Sequence, residues 1–296
     1  MAKKVIAKEA LFNFLDIHVS EVEKYPNALQ DMLYNRSFEG MIIRDVLPKD
    51  AVEQVISRLK NEQVDMSGIL DSTFAEISKG AYSLGENLVW TNPNLQRYFD
   101  CAAIFRQKCR TLFEGMLDFE ALMESIFCSL SGGFKVKIPS GPQGQSYVPA
   151  TIRKLPTDHE YPIHVGNDFL NSPQSEHLRS LVDVTDQLSF FIPLVLPEAG
   201  GELVVYGLEW DGEEFAFENT ISSRNPHGSR MYQEAHNIFD EQYGSMTFNP
   251  GLGDMMLFDG GRFYHCIVPT VGDRTRITIG GFLSFSKDHD AVYYWS

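Results

Sequence analysis

The chain reads as a mainly β protein with α, a sheet-rich sandwich or barrel covered on the outside by helices from its first half. Three features of its 296 residues carry this reading. Up to about residue 130, apolar residues recur at helical spacing. From about residue 131, short apolar runs alternate with Gly, Pro, Asn and Asp, the rhythm of a sandwich or barrel. No Pro/Ser/Gly linker separates the two textures. Residues 1–296 are therefore read as one domain, with a helical cap over about 1–130 and a sheet core over about 131–285.

Residues 19–35 place Val22, Leu29, Met32 and Leu33 on one helical face, although Pro26 interrupts the run. Gly40–Pro48 is a short strand stopped by proline. In the segment from Lys49, Val52, Val55, Ile56 and Leu59 recur at helical spacing. Two further helices are expected at about 93–115 and 119–130. Strands are expected in 131–139, Ala150–Leu155, Tyr161–Val165, Leu188–Leu196, Glu202–Tyr206, Asp254–Phe258, His265–Pro269 and Arg276–Phe285. Residues 207–247 break the rhythm. They are polar and aromatic, contain Asn225-Pro226-His227-Gly228, and read as a long loop of the kind used as a lid over a site.

Bulk properties narrow the function. Forty acidic against 25 basic residues give a net charge of −15, which repels phosphate backbones and argues against a nucleic-acid partner. Cys101, Cys109, Cys128 and Cys266 lack metal-type spacing and read as reduced thiols of a cytoplasmic protein. The first twenty residues are basic without a long apolar run, so neither a signal peptide nor a membrane helix is expected.

The chemistry concentrates in two places. His164 lies between Ile163 and Val165 on an expected strand, and residue 166, which would share its face, is Gly. About a hundred residues later, Gly253-Asp254 is followed by His265 and then by Arg276 and Thr278, two apart on another strand. Neutral imidazole suits Fe(II). An arginine with a hydroxyl two residues on suits a carboxylate.

His164, Gly200-Gly201-Glu202-Leu203, Gly253-Asp254, His265 and Arg276 with Thr278 together resemble the motifs of the iron/2-oxoglutarate dioxygenase superfamily. That resemblance implies a double-stranded β-helix (jelly-roll) core flanked by the N-terminal helices. It implies iron on His164 and His265, and the distal carboxylate of 2-oxoglutarate on Arg276. Gly166 departs from the superfamily, which has Asp or Glu there, and matches its aliphatic halogenases. More narrowly, Asn35–Ile43, His164–Leu170, Pro197–Tyr206 and Tyr293–Ser296 resemble the carrier-protein-independent halogenases of hapalindole-, ambiguine- and welwitindolinone-type alkaloid pathways. The resemblance implies Fe(II), 2-oxoglutarate, O2 and chloride as cofactors. It implies a freestanding hydrophobic alkaloid as substrate and no carrier protein. Chloride would take the coordination position and the charge that a carboxylate at Gly166 would otherwise supply.

Several assignments have rivals. Arg274 competes with Arg276 for the carboxylate. His159 is the histidine nearest His164, but its partner two residues on is Tyr161, a poor iron ligand. Asp168 would stand about 13 Å from His164 on a straight strand and could replace the missing carboxylate only through a bend. Thr151 and Arg153 are either a surface pair or contacts of 2-oxoglutarate. Ser189 either bonds a nearby carbonyl or faces the reacting centre. A hydroxylase with an altered iron site and a non-catalytic jelly-roll binding module are the rival functions.

Overall fold

A computed structural model describes residues 11–61, 82–88, 95–212 and 229–296. The strands are β1 (Phe14–His18), β2 (Gly40–Arg44), β3 (Tyr82–Leu84), β4 (Lys135–Lys137), β5 (Thr151–Leu155), β6 (Tyr161–His164), β7 (Leu188–Val195) and β8 (Ala199–Gly200). They continue as β9 (Leu203–Glu209), β10 (Ser245–Phe248), β11 (Met255–Phe258), β12 (Phe263–Ile267), β13 (Thr270–Val271), β14 (Arg276–Phe285) and β15 (Ala291–Trp295). The principal helices are α1 (Lys49–Asn61), α2 (Leu95–Phe113), α3 (Phe119–Leu130), α4 (Gly166–Leu170) and α5 (Ser229–Tyr243).

Two sheets face each other. The larger runs β1-β2-β11-β7-β14-β15-β4, with β5 added on β14 and β3 on β5; the smaller runs β10-β9-β12-β6. Strand alternation explains how both faces of the smaller sheet are used. Leu203, Val205, Phe263 and Ile267 point between the sheets, whereas Val204, Tyr206, Tyr264 and Cys266 pack outward with Ala235 and Phe239 of α5.

Helices α2 and α3 cover the outer face of the larger sheet. Along α2, Tyr98, Ala102, Phe105, Cys109 and Leu112 are buried at three- and four-residue steps. Helix α3 starts at Asp118, whose carboxylate caps the Ala121 N–H at 3.1 Å. Its Phe127 meets Phe190 of β7 and Tyr294 of β15 edge-on, at 5.2 and 5.9 Å between centroids. Pro26 does split the 19–35 segment, into a 3-10 turn over Val19–Lys24 and helical turns over 28–35, with all four expected residues buried.

Two expectations are corrected. First, the sheet is not confined to the second half. Strand β2, expected at Gly40–Pro48, is joined by β1 and β3 from the expected helical cap, and β15 lies beyond residue 285, because the larger sheet closes by recruiting distant segments. Second, 207–247 is not one long loop. Residues 207–209 finish β9, α5 occupies Ser229–Tyr243, and β10 returns to pair with β9. The part of that interval over 213–228 lies outside the described residues. Among the described residues, no helix is long and apolar enough to cross a membrane, and all four cysteines are free thiols.

Candidate active site

His164 and His265 are direct cross-strand partners on β6 and β12, with ring centroids 4.2 Å apart. In each, Nδ1 lies within hydrogen-bond distance of a carbonyl two residues back, Pro162 at 2.7 Å and Phe263 at 2.9 Å. A carbonyl only accepts, so Nδ1 carries the proton and Nε2 is left with its lone pair. Burial pushes the His164 imidazole down to about 4 and holds His265 well below the ordinary value, so both rings are neutral at physiological pH. This is the state that metal coordination requires. Phe258 stands edge-on to His265 at 5.0 Å and Phe169 lies 5.7 Å from His164, which narrows the approaches to the pair. Among the described residues no third His, Cys, Asp or Glu joins them.

The histidines open into a cavity of about 240 Å³ between the sheets. Phe190, Phe191, Phe258, Phe282 and Leu203 supply much of its apolar wall, and Arg153, Tyr161, Arg276, Thr278 and Ser189 its polar groups. Strand register delivers the cations. Arg276 pairs with Leu155 and Thr278 with Arg153 across β14 and β5, so Arg276, Thr278 and Arg153 share the inner face. Arg276 is 5% exposed, and burial lowers its guanidinium to about 10. Its guanidinium lies over the Phe191 ring, and no carboxylate pairs with it among the described residues. Arg153 is likewise without a carboxylate, donating to Thr151 Oγ1 at 3.2 Å and facing the Phe282 ring. The buried Arg276 and the half-buried Arg153, neither ion-paired with a carboxylate among the described residues, can form a receptor for an anion carrying more than one negative charge.

The Gly200-Gly201-Glu202-Leu203 motif has a physical role here. Gly201 has φ +75°, and a Cβ on it would stand 3.0 Å from Arg276 Cδ. Glycine therefore both permits the turn and leaves room for the arginine.

Of the rival residues, Arg274 is exposed and reaches only the Pro197 carbonyl at 3.4 Å. His159 is tied to Thr157 O at 2.7 Å, and Asp168 is exposed on α4; neither lines the cavity. Thr151 is fully buried, and its hydroxyl meets Ser296 and receives Arg153, so it reaches the cavity only through that arginine. Ser189 lines the cavity with a buried hydroxyl that has no partner.

Gly166 is placed differently from the expectation. Strand β6 ends at His164, and residue 166 opens α4 instead of continuing the strand face. Its N–H donates to Gly260 O at 2.8 Å and its carbonyl accepts from Gln187 Nε2 at 2.5 Å. A Cβ on it would meet Gly260 O at 2.8 Å, Gln187 Nε2 at 3.1 Å and Gly261 Cα at 3.1 Å. The Gly260-Gly261 turn has closed on the place where a side chain would begin.

Tyr161 was missed as a site residue. Its hydroxyl is buried without a partner and lies near both arginines, whose charges oppose the upward push of burial on the phenol. Between the pairs His265–His164 and Ile267–Tyr161, β6 holds one residue more than β12, a bulge at Pro162-Ile163. The bulge brings Tyr161 and His164, three apart, to the same cavity. Proline inside a strand was the available signal.

Two facing sheets that enclose neutral imidazoles and uncompensated guanidinium groups in one apolar cavity define a class: iron(II)- and 2-oxoglutarate-dependent oxygenase-type enzymes. Comparison with protein families narrows it. The model of the carrier-protein-independent halogenase WelO5 matches residues 11–296, and the chain belongs to that family. No curated protein matches the sequence. Among solved structures, an N-substituted L-amino acid dioxygenase from Burkholderia ambifaria AMMD is similar in fold, with a TM-score of 0.51, 14% identity, and coverage of 94% of this chain and 90% of that one. A prolyl-4-hydroxylase from Pseudomonas putida has a TM-score of 0.43 at 12% identity, covering 86% of this chain and 95% of its own. A Trichoplax adhaerens prolyl hydroxylase has a TM-score of 0.45 at 11% identity, with coverage of 92% and 94%.

Proposed function

We propose that this enzyme chlorinates an unactivated aliphatic carbon of a freestanding, hydrophobic small molecule, of the indole-terpenoid alkaloid type. The observation that carries the reading is a neutral histidine pair that no carboxylate joins among the described residues, sharing one phenylalanine-walled cavity with the buried Arg276 and the half-buried Arg153, neither of them ion-paired with a carboxylate among the described residues. Iron(II) fits the two Nε2 atoms, 2-oxoglutarate fits the dianion receptor, and chloride would take a coordination position of the metal for which residue 166, a glycine, offers no carboxylate. Together with O2, the bound group supplies one-electron oxidation of a C–H bond and halogen for the resulting carbon radical.

The chain's own residues bind, orient and exclude. His164 and His265 hold the metal, with both rings fixed by their Nδ1 bonds. Arg276, with Thr278 and Tyr161, takes the distal carboxylate of the co-substrate, and Arg153 adds the second positive charge. The phenylalanine walls exclude water and hold an apolar substrate. The partnerless Ser189 hydroxyl donates a hydrogen bond to a polar ligand at the reacting centre. Tyr161→Phe is expected to weaken 2-oxoglutarate binding about tenfold, the worth of one hydrogen bond to a charged group, while the apoprotein unfolds no earlier, because the hydroxyl has no partner to lose. Anaerobic 2-oxoglutarate titration of the iron(II) enzyme, read by its visible charge-transfer band, checks this.

The function itself is tested by aerobic incubation with iron(II), 2-oxoglutarate, chloride and a panel of indole alkaloids, followed by mass spectrometry. A product with the chlorine isotope pattern is expected. Oxygenated product alone, with chloride present, would overturn chlorination in favour of hydroxylation.

A further inference from the structure

We propose that Asn87 is a specificity-determining residue, its carboxamide taking a hydrogen-bond donor of an otherwise apolar substrate, an N–H or O–H group, and so fixing which carbon faces the metal. This deepens the substrate reading above and rests on it. Asn87 lines the same cavity as His164 and His265. Strand register places it toward the end away from Arg276. β3 pairs antiparallel with β5, and β5 with β14, so Leu84 stands level with Ile152 and Ile279. Asn87 follows Leu84 in the direction of Phe282, and it shares with Phe282 and Phe169 a second, small void of about 10 Å³. Arg276 opens β14 and Phe282 lies near its other end, about 20 Å away along an extended strand. At this end Arg153, whose guanidinium faces the Phe282 ring, can only donate, and Asn87 adds an acceptor. Beside aromatic rings, one such group orients a ligand more than it adds bulk affinity.

The side chain is held in place. Asn87 is 3% exposed, and its Nδ2 donates to Ser296 Oγ at 3.5 Å. Ser296 Oγ meets Thr151 Oγ1 at 2.9 Å, and Thr151 Oγ1 accepts from Arg153 Nε at 3.2 Å. The amide nitrogen is thus turned toward Ser296, which makes Oδ1 the atom for a ligand. A carboxamide oxygen has two lone pairs, so it takes a substrate donor alongside a bond it already holds. The same chain of hydroxyls ties Asn87 to Arg153, one of the two arginines of the anion receptor. A buried, oriented acceptor discriminates well. A substrate that lacks the donor loses the bond and still strips water from the oxygen.

The test uses the full-length iron(II)–2-oxoglutarate enzyme without O2. The probes are tetrahydrocarbazole, an apolar indole with one N–H, and its N-methyl derivative, and binding is read as the change each makes in the visible charge-transfer band. The wild-type enzyme is expected to bind the N–H probe about fivefold more tightly, as one neutral hydrogen bond provides. Asn87→Leu keeps the volume and removes the acceptor, and Asn87→Ala removes it without the bulk. Both should abolish the preference, with 2-oxoglutarate affinity unchanged. A preference retained in either variant overturns the proposal, as does a wild-type enzyme that binds the two probes alike. So does loss of 2-oxoglutarate affinity together with the preference, which would mark Asn87 as a structural support of Arg153. A wild-type enzyme that binds neither probe overturns the indole-type substrate on which the proposal stands. The readout is binding, so a product assay that yields no chlorinated product counts against the halogenase reading and not against Asn87.

Discussion

Gly166→Asp is expected to abolish chlorination while iron and 2-oxoglutarate still assemble on His164, His265 and Arg276. A carboxylate from residue 166 supplies both the ligand and the negative charge that chloride would bring, so the anion loses its place twice over. Hydroxylated product is expected instead, at reduced yield. The reduction follows from packing. The added Cβ starts 2.8 Å from the Gly260 carbonyl oxygen, a backbone atom that moves only with the whole Gly260-Gly261 turn. Overpacking of this kind costs about 1–3 kcal/mol, so an earlier unfolding midpoint should accompany the change. Gly166→Ala separates the two effects, since it carries the same Cβ without the charge. It should share the lower midpoint and keep chlorinating. Thermal unfolding and product mass spectrometry on both variants decide the matter, and an Asp variant that chlorinates like wild type would show that the halide binds elsewhere.

Arg276→Ala is expected to weaken 2-oxoglutarate binding by about two orders of magnitude, since a buried carboxylate left unpaired forfeits roughly 1.5–3 kcal/mol of charged hydrogen bonding as well as its counter-charge. Arg274→Ala should change it little, because that side chain is exposed and bonds a carbonyl outside the cavity. The two variants remove the same charge from the same strand region, so net charge cannot explain a difference between them. Equal losses in anaerobic titrations would mean that both arginines serve the anion. The Arg276 variant should be no less stable as apoprotein, since a buried guanidinium without a partner is itself unfavourable.

Much of this was legible in the sequence because it depends on local pattern. Apolar spacing located α1, α2 and α3 nearly to the residue, since a helix buries one stripe whatever it packs against. Turn residues bounded most core strands. That His164, His265, Arg276 and Thr278 belong together was readable because motif spacing encodes which strands carry them, and the four line one cavity. What escaped were features set by partners distant in sequence. Strands β1, β3 and β15 are short, and only the edges they pair with make them strands. Helix α5 lay hidden in a polar interval because its buried residues answer to the outer face of the smaller sheet.

The sequence by itself determined the candidate groups for the chemistry: two imidazoles, two competing guanidinium groups, and a glycine where the resembled superfamily has a carboxylate. Only the tertiary structure chose between Arg276 and Arg274, by burying one and exposing the other. It turned Gly166 from a strand residue into the first residue of a helix, closed the Gly260-Gly261 turn over it, and brought Tyr161 to the site. The physical reason is that side-chain identity is written in the chain, whereas burial, register and the bulge at Pro162-Ile163 are settled only when separate strands pair and compete for the same space.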